Sequence, residues 1–559
     1  MNRCFVFTFF LIFKLLNANA QWTSDTTTNT VIRDSAVAII PLVSPGPNGS
    51  TYISWFEKNG ANFDLHMQLL DSNGYKLWSP AGKIVSNYPQ DSILYKYDLK
   101  TDYEGNAIVA FQDIRSGLLN VVAYKIDING NSLWGTGLPL IDSSAQKGIQ
   151  PSIGITGQNE IFISWSADSA SKKWIAAQRI SSSGTILWSN TYRIKDTVTN
   201  QNYSHVELFS SGSDDMQFLF FEENGSFPMQ TFTLFTQRVH QSGNNFWPAA
   251  IKVSTLALPP FQKFPRPVPD DNGGFYIAFN AKNPADTSLL NVYVQNVDYN
   301  GILWSATGVE ASNSPSTNKL AISSYYVSFT SEFWVSLQIL DSAQLVSGVS
   351  VQKFDSFGDE LFGDEALIVF PADTIYFKPN SITFTNDGMI LTVTNGKAGL
   401  EHIKAIKLDN NGIPVWSNTS VSLNATNSKK EYVQSGKFVN NNLVIVWQDD
   451  RNGSGIFAQN ITGEGNLGIV SDISEIKNKN TVHFSPNPSN NPQLIFASPT
   501  NSINRIYINN ILGEELISLT IPVASITFSL NQLENLSNGI YLVSLSNQNE
   551  KKIFKWVKQ

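Results

Sequence analysis

The 559-residue chain is 42% apolar and 12% aromatic but only 15% charged, a composition that excludes global disorder and favours packed strands over long charged helices. Its formal net charge of −8 excludes the basic surface that a nucleic-acid partner requires. The length suggests roughly three or four domains, unless the chain is built from repeats.

Residues 1–20 have the pattern of a signal peptide. Arg3 precedes a largely apolar run over residues 4–16, and Ala18-Asn19-Ala20 forms a small-x-small cleavage site. The alternative, an uncleaved anchor helix, needs about 20 apolar residues, whereas this run is shorter and contains Lys14. We therefore expect a mature chain that starts near Gln21 and has no transmembrane span. The only cysteine, Cys4, would be removed with this segment. The mature chain would therefore have no disulfide, no thiolate metal site and no cysteine nucleophile.

A repeat occupies the chain from about Ser35 to Val470. Its clearest marker is a glycine that recurs at steps of 53 to 59 residues. The eight glycines are Gly74, Gly130, Gly184, Gly243, Gly301, Gly358, Gly412 and Gly465. Six residues before them the chain has Gln68, Tyr124, Gln178, Gln237, Gln295, Gln352, Ile406 and Gln459. This regularity, together with the alternating apolar residues before each glycine, predicts β-strands in a fixed register.

The turn that carries each glycine reads Asp-x-Asn-Gly in several repeats, as in Asp71-Ser72-Asn73-Gly74, which is typical of a tight hairpin. An aromatic residue follows three or four positions later in seven repeats: Trp78, Trp134, Trp188, Trp247, Trp304, Phe362 and Trp416. One ring at a fixed place in each repeat suggests a wedge between neighbouring sheets. Repeats of this length with four short strands predict an all-β fold, a β-propeller of eight four-stranded blades. Seven blades plus an irregular domain, or an open stack of sheets, are the alternatives.

The eighth repeat lacks the tryptophan and its fourth strand. The mature N-terminus, from Gln21-Trp22 to Ile32-Arg33, resembles the fourth strand of an earlier repeat, at Leu187-Trp188 to Ile194-Lys195. We therefore predict that residues 21–470 form the propeller and that the N-terminal strand completes its last blade. Closure of this kind would hide two exposed sheet edges.

The repeats contain no recognisable catalytic, cofactor or metal motif. The five histidines are dispersed and none is paired at metal-ligand spacing: His66, His205, His240, His402 and His483. The Asp-x-Asn-Gly turns lack the later glutamate of a calcium-binding EF-hand and are interpreted as hairpins, with calcium as the alternative. The recurring glutamines are expected to bond to the backbone between blades, with a sugar-binding ring as the alternative. Asp113 with Arg115, and Asp450 with Arg451, are interpreted as ion pairs at turns.

A second domain follows a polar linker at residues 471–480 and occupies residues 481–559. Short alternating strands separated by glycine turns predict a small β-sandwich. Its distinctive segments are Phe484-Ser485-Pro486-Asn487-Pro488, Ile506 to Gly513, Leu536-Ser537-Asn538-Gly539-Ile540-Tyr541 and the lysine-rich end Lys551 to Lys558.

These segments, in this order over residues 484–559, resemble the type A C-terminal sorting domain of the bacterial type IX secretion system. The resemblance places the sorting motif at Pro486, Asn487, Pro488, Gly513, Gly539, Tyr541, Lys551, Lys552, Lys555 and Lys558. It implies export across the inner membrane, recognition of the tail by the type IX machinery, and removal of the tail or its exchange for a surface anchor. An Ig-like domain that only packs against the propeller is the alternative.

Together these features predict a secreted or cell-surface protein whose propeller binds a glycan, polymer or protein through loops at one end of its ring. Rigid rings with many loops and without a catalytic constellation suit binding. The alternative is a secreted hydrolase with carboxylates from different blades in the central channel. Two carboxylates about 5 to 10 Å apart in the channel mouth would favour that enzyme.

Overall fold

The structure is a computed structural model that describes residues 21–558 apart from several short segments. Those segments are residues 91–95, 170–171, 197–200, 211–213, 227–228, 261–266, 285, 315–316, 469–481, 486, 488, 491, 497–503, 512–513, 523–526, 531–534 and 547–550. The predicted signal peptide, the predicted linker and three sorting-motif residues, Pro486, Pro488 and Gly513, therefore lie outside the described residues. The chain divides into two compact units, residues 1–469 and residues 470–559.

The first unit contains eight antiparallel sheets of four strands each, which confirms the predicted all-β class and the eight-bladed propeller. Blades are numbered along the chain, and the strands of each blade are numbered from the centre outward. Blades 1 to 4 consist of Ala38–Pro45, Thr51–Asn59, Asn62–Leu70 and Lys83–Ser86; Asp98–Thr101, Ala107–Asp113, Asn120–Ile126 and Leu138–Leu140; Lys147–Ile155, Ile161–Ser169, Lys172–Ile180 and Tyr192–Ile194; and Asn202–Ser210, Asp215–Asn224, Thr231–His240 and Ile251–Lys252. A short 3-10 turn, Pro47–Gly49, joins the first two strands of blade 1.

Blades 5 to 8 repeat this order, with one exception in the last. They consist of Val268–Pro269, Phe275–Lys282, Leu290–Val297 and Val309–Glu310; Thr317–Val327, Glu332–Asp341, Ser347–Phe354 and Leu367–Asp373; Tyr376–Thr385, Gly388–Gly396, His402–Leu408 and Val421–Ser422; and Lys430–Ser435, Asn442–Asp449, Gly455–Thr462 and Thr30–Arg33. The fourth strand of blade 8 thus comes from the N-terminal segment, and Thr30 lies opposite Ala458.

The core of the propeller lies between blades. The second and third strands are buried over almost their whole length, as in Ala107–Asp113 and Asn120–Ile126 of blade 2. Eight apolar clusters fill the eight interfaces, including one between blades 8 and 1 that contains Trp22 and Ile32. A blade cannot cover both of its faces alone, so each is stabilised by its two neighbours and the ring is closed.

The inner strands carry a recurrent irregularity. The pairing of the first and second strands shifts register in blades 1, 3, 4, 6, 7 and 8. In four of them the shift coincides with a left-handed backbone at a residue other than glycine: Ile40, Gln150, His205 and Tyr432. Such bulges re-aim side chains and carry a conformational cost.

The second unit contains two antiparallel sheets around its own core. One sheet comprises Val482–Ser485, Gln493–Phe496 and Thr527–Ser529, and the other comprises Glu515–Ile521, Asn504–Asn509, Gly539–Ser546 and Lys551–Lys558. Leu494 of the first sheet and Ile506, Val543 and Trp556 of the second share one apolar cluster, as in the predicted β-sandwich. Among the residues that the structure describes, none belongs to a helix long and apolar enough to cross a membrane.

Candidate functional sites

The recurring aromatic ring of each repeat packs on the turn glycine of the next blade. A side-chain carbon added to Gly184, whose φ is +89°, would lie 2.6 Å from the Trp134 ring. The Trp134 indole also donates a hydrogen bond to the Ser182 carbonyl oxygen (3.3 Å) in the same turn. The eight ring–glycine pairs are Trp22–Gly74, Trp78–Gly130, Trp134–Gly184, Trp188–Gly243, Trp247–Gly301, Trp304–Gly358, Phe362–Gly412 and Trp416–Gly465. The repeat signature is therefore an interblade contact.

The recurring glutamines are buried and hydrogen-bond to backbone. Gln178, for example, donates from Nε2 to the Trp188 carbonyl oxygen (3.1 Å). The donor–acceptor pairs are Gln68–Ser79, Gln178–Trp188, Gln237–Trp247, Gln295–Ser305, Gln352–Gly363 and Gln459–Thr23. Tyr124 takes this place in blade 2, where its hydroxyl donates to Thr136 O (2.7 Å). Buried side chains with these partners hold the outer segment of a blade and do not form a sugar-binding ring.

A basic residue next to this glutamine position was missed by the sequence analysis. It bonds to the turn carbonyl oxygen of the next blade, as Lys407 Nζ does to Gly463 O (2.9 Å), and pairs with an acid, as Lys407 does with Asp387 (2.7 Å). The other donor–acceptor pairs are Lys125–Ser182, Arg179–Gln241 and Lys353–Asn410. Its constant position, one residue after the glutamine register, was a signal available in the sequence.

A buried ionic cluster in blade 8 holds the N-terminal segment. The Asp449 carboxylate accepts hydrogen bonds from Arg451 Nη2 (2.7 Å), Ser428 Oγ (2.6 Å) and the Trp447 indole (2.9 Å). Burial favours the protonated acid, but the bonds from Arg451, Ser428 and Trp447 prevail and lower the pKa of Asp449 to about 2. The predicted ion pair of Asp450 with Arg451 is therefore wrong, because the preceding residue, Asp449, is the partner of Arg451.

The guanidinium that Asp449 orients also reaches the closing segment. Arg451 Nη1 donates to the carbonyl oxygens of Thr27 (3.0 Å) and Thr28 (3.2 Å). Gln459 Nε2 donates to Thr23 O (2.7 Å). These bonds replace the peptide connection that the other blades have between their third and fourth strands.

A large cavity among the described residues lies inside the inner strands of the propeller. It has a volume of about 830 Å³ and is lined by the first strands of blades 1 to 4 and 8, together with Pro269 of the first strand of blade 5 and the preceding Pro267. Ligands usually occupy concave sites of this size. The cavity is walled by strands, whereas the sequence analysis expected a site formed by loops.

Two carboxylates line this cavity, and both are engaged. Asp98 accepts the backbone N–H of Ile153 (2.8 Å). Glu207 forms an ion pair with Lys96, and Ser152 Oγ lies 3.4 Å from its other oxygen. These contacts tie neighbouring blades together.

A glycosidase of the common kind needs one carboxyl group with a raised pKa beside a second carboxylate. Burial, with a contribution from Asp364, raises the pKa of Glu360 to about 7. Glu360 does not line the cavity. The carboxyl group with this raised pKa therefore lies outside the cavity.

Two lysines and two tyrosines give the cavity its free polar and aromatic groups. Lys100 and Lys437 are exposed and line the wall, and neither forms an ion pair or side-chain hydrogen bond within the part of the chain that the structure describes. Tyr103 and Tyr432 line the same cavity and are 71% and 49% exposed. No repeat motif marks these residues. For Lys100 the sequence did offer a signal, because residues 96–100 contain three charged side chains at a strand position that is apolar in blade 1.

The histidines and the aspartate turns have local roles. His66 and His205 are largely buried, and burial lowers the pKa of His205 to about 4. Asp71 Oδ1 accepts the backbone N–H groups of Asn73 and Tyr75 (both 2.9 Å), as a hairpin cap does. Within the described ranges no group of three or more His, Cys, Asp or Glu residues could hold a metal ion.

In the C-terminal unit, Asn487 of the predicted sorting motif binds the last strand. Its side-chain amide donates to Lys555 O (2.6 Å) and accepts the Val557 N–H (2.9 Å). The Trp556 indole donates to Ser489 O (2.8 Å). Asn487 therefore behaves as a short extra strand that covers part of a sheet edge.

The remaining described motif residues have different environments. Tyr541 is buried and its hydroxyl donates to Ser537 O (2.7 Å). Gly539 begins the strand Gly539–Ser546 and lies opposite Lys558 of the last strand. Lys551 and Lys552 lie in the last strand, and Lys555 is exposed. Lys558 is 7% exposed and its ammonium donates to Leu536 O (2.6 Å). The lysine-rich end is therefore not uniformly exposed, because Lys558 is buried.

An eight-bladed β-propeller followed by a small β-sandwich is thus the class of protein that the fold defines. Residues 484–559 match the family model of the secretion system C-terminal sorting domain, which confirms the resemblance inferred from the sequence and implies secretion. A search of curated proteins finds no match.

Solved structures similar to this chain include the polysaccharide lyase Uly1, with 9% identity, a TM-score of 0.41, and coverage of 79% of this chain and 92% of that one. A PL25 ulvan lyase bound to a GlcA–Rha3S oligosaccharide has 7% identity, a TM-score of 0.41, and coverage of 80% and 96%. An α-L-arabinanase from Penicillium chrysogenum has 8% identity, a TM-score of 0.33, and coverage of 56% and 92%. At these values the likeness carries nothing about what this chain binds.

Proposed function

We propose that this protein is a type IX secretion cargo whose propeller is a binding module without catalytic activity. In this proposal the signal peptide at residues 1–20 directs export across the inner membrane. The type IX machinery then recognises residues 484–559, and the mature protein is released or attached to the cell surface. The family match of the C-terminal unit supports the second step.

The central cavity is the proposed binding site for a glycan, polymer or protein. The observation that carries this proposal is a cavity of about 830 Å³ in which both lining carboxylates are engaged while aromatic and cationic side chains are free. Aromatic faces with a few polar groups around them are typical of binding pockets.

Cell fractionation tests the export step. A chain without residues 481–559 should remain folded in the periplasm, because the propeller has its own core. Replacing Lys551, Lys552 and Lys555 by glutamine tests recognition, whereas replacing Phe554 and Trp556 by alanine tests folding of the tail; Lys558 is left unchanged because it is buried. Normal amounts of the truncated chain in the medium or on the surface would refute the sorting role.

Binding assays test the cavity. The mature chain is screened against neutral glycans, polyanions and proteins, and Tyr432→Ala should weaken capture of whichever ligand binds. Tyr376→Ala, at another exposed tyrosine of an inner strand that does not line this cavity, serves as the control. Release of shortened products from a bound polymer would instead favour the hydrolase.

A further inference from the structure

The acidic side chains of the central cavity have partners in the described part of the chain, whereas two of its basic side chains do not. Glu207 forms an ion pair with Lys96, and Asp98 accepts a hydrogen bond from the backbone N–H of Ile153. Lys100 and Lys437 remain exposed, without an ion pair or side-chain hydrogen bond to any residue described in the structure. Two unpaired ammonium groups therefore face a cavity inside a protein whose net charge is −8. Low-dielectric walls focus the field of such charges on a bound anion.

Both lysines lie towards the same end of the inner strands. Thr101, the neighbour of Lys100, shares a 2.7 Å hydroxyl contact with Ser44 of blade 1. Gly436, the neighbour of Lys437, lies beside Val43 of the same strand. The first strand of blade 1 thus separates the two lysines. Lys96, which is neutralised by Glu207, lies four residues before Lys100, about 13 Å along an extended strand.

Aromatic groups accompany the lysines. Tyr103 follows the strand of Lys100, and Tyr432 precedes Lys437 in blade 8; both are exposed in the cavity. The backbone of Tyr432 is left-handed, with φ 49°. Flat aromatic faces stack on the apolar faces of sugar rings, and acidic polypeptides offer no equivalent surface.

We propose that the central cavity binds an anionic polysaccharide, with Lys100 and Lys437 facing its carboxylate or sulfate groups and Tyr103 and Tyr432 facing its sugar rings. This inference rests on the proposed function, because it assigns a ligand class to the same cavity. Neither lysine belongs to the repeat signature, so the assignment is specific to this ring.

Binding of dextran sulfate to the full mature chain tests the inference, with neutral dextran of equal length and poly-L-glutamate as comparison probes. Dextran sulfate should bind best, and its affinity should fall as salt increases. K100Q/K437Q should lower the affinity by about tenfold and reduce the slope of log affinity against log salt by roughly one to two. Tyr103→Ala/Tyr432→Ala should weaken binding with little change in that slope.

Two variants control for charge and folding. K282Q/K397Q removes the same charge at exposed lysines outside the cavity and should leave affinity within about twofold. K100R/K437R retains both charges and should keep most of the binding. Equal thermal midpoints would show that none of these exposed substitutions unfolds the ring.

Each other outcome overturns the inference. Unchanged affinity of K100Q/K437Q would place the anion elsewhere, and equal binding of poly-L-glutamate would identify an acidic polypeptide as the ligand class. Equal binding of neutral dextran, or failure of all three probes, would remove the anionic assignment. In those last cases the proposed function still stands if another ligand binds and Tyr432→Ala weakens it, and falls if no ligand depends on the cavity.

Discussion

Blades 2 and 8 contain the same kind of Asp–Arg cluster, but the fourth strand follows the third directly along the chain only in blade 2. In blade 2, Arg115 pairs with Asp113 (2.7 Å) and donates from Nη1 to Thr136 O (2.5 Å), in the connection to its own fourth strand. In blade 8, Arg451 pairs with Asp449 (2.7 Å) and reaches Thr27 and Thr28. The two clusters differ in that only the second joins segments more than 420 residues apart in sequence. In blade 8 this cluster therefore helps to hold the closing segment in the ring, whereas in blade 2 it only stabilises a connection within one blade.

Removal of the closing strand is expected to have the largest effect. A mature chain without residues 21–34 exposes the edge of blade 8 and loses the buried Trp22 and Ile32. Burial of one tryptophan alone is worth about 3–5 kcal/mol, which corresponds to roughly 3–5 °C for a unit of this size, so with the loss of Ile32 and the strand pairing we expect a thermal midpoint lower by at least about 5 °C. A chain that instead lacks residues 482–559 is the control and should keep its propeller transition. Equal midpoints for both truncations would contradict closure by the N-terminus.

Removal of the Asp449 charge is expected to have the second-largest effect on stability. Asp449→Asn leaves Arg451 and the fully buried Lys430 without a counter-charge, which typically costs about 3–5 kcal/mol. Denaturant unfolding measures the loss, and limited proteolysis should show cleavage near residue 28 before global unfolding. Asp113→Asn breaks the equivalent pair within one continuous blade, so it should not release the N-terminus. Similar N-terminal cleavage in both variants would remove the distinction between the blades.

The same carboxylate predicts a pH dependence. Its pKa is lowered to about 2 in the folded protein, so its stabilisation is present above the unfolded value near 3.9 and is lost as the pH falls through about 2. The difference in unfolding free energy between the natural chain and Asp449→Asn should be constant above about pH 5 and shrink below pH 4.

Asp450 provides the matched control for this titration. Burial raises the pKa of Asp450, so its ionisation opposes folding as the pH rises. Asp450→Asn should therefore leave stability at pH 7 unchanged or slightly higher. A difference for Asp449→Asn that persisted at pH 2 would contradict the ionic origin of the cluster.

The smallest effect concerns the glycine that receives Trp22. Gly74 has a φ of +85°, and an added side-chain carbon would lie 2.6 Å from the Trp22 ring; Gly117 has the same φ with nothing within 4 Å. Gly117→Ala should cost about 1–2 kcal/mol from backbone strain alone. Gly74→Ala should cost about 1–3 kcal/mol more, because the ring must move. Equal losses in denaturant unfolding would show that the ring does not press on this turn.

The sequence by itself determined the repeat register and the sorting domain and favoured eight blades over the alternatives, because each depends on local chemistry. A glycine every 53 to 59 residues can be recognised without coordinates, since only glycine combines positive φ with the close approach of a ring. The N-terminal segment resembled a fourth strand because Gln21-Trp22 followed by Ile32-Arg33 repeats the order of residue types at Leu187-Trp188 and Ile194-Lys195 in a complete blade. The sorting motif is likewise contiguous.

Only the tertiary structure decided which side chains meet across blades. Asp449 rather than Asp450 holds Arg451, because one step along a strand reverses the direction of a side chain. Lys558 is buried because its ammonium finds the Leu536 carbonyl oxygen, a contact that the lysine-rich pattern does not specify. Lys100 and Lys437 face one cavity because blades distant in sequence share an inner wall. Such convergence depends on how the blades are arranged around the ring, and no local pattern specifies which individual side chains that arrangement brings together.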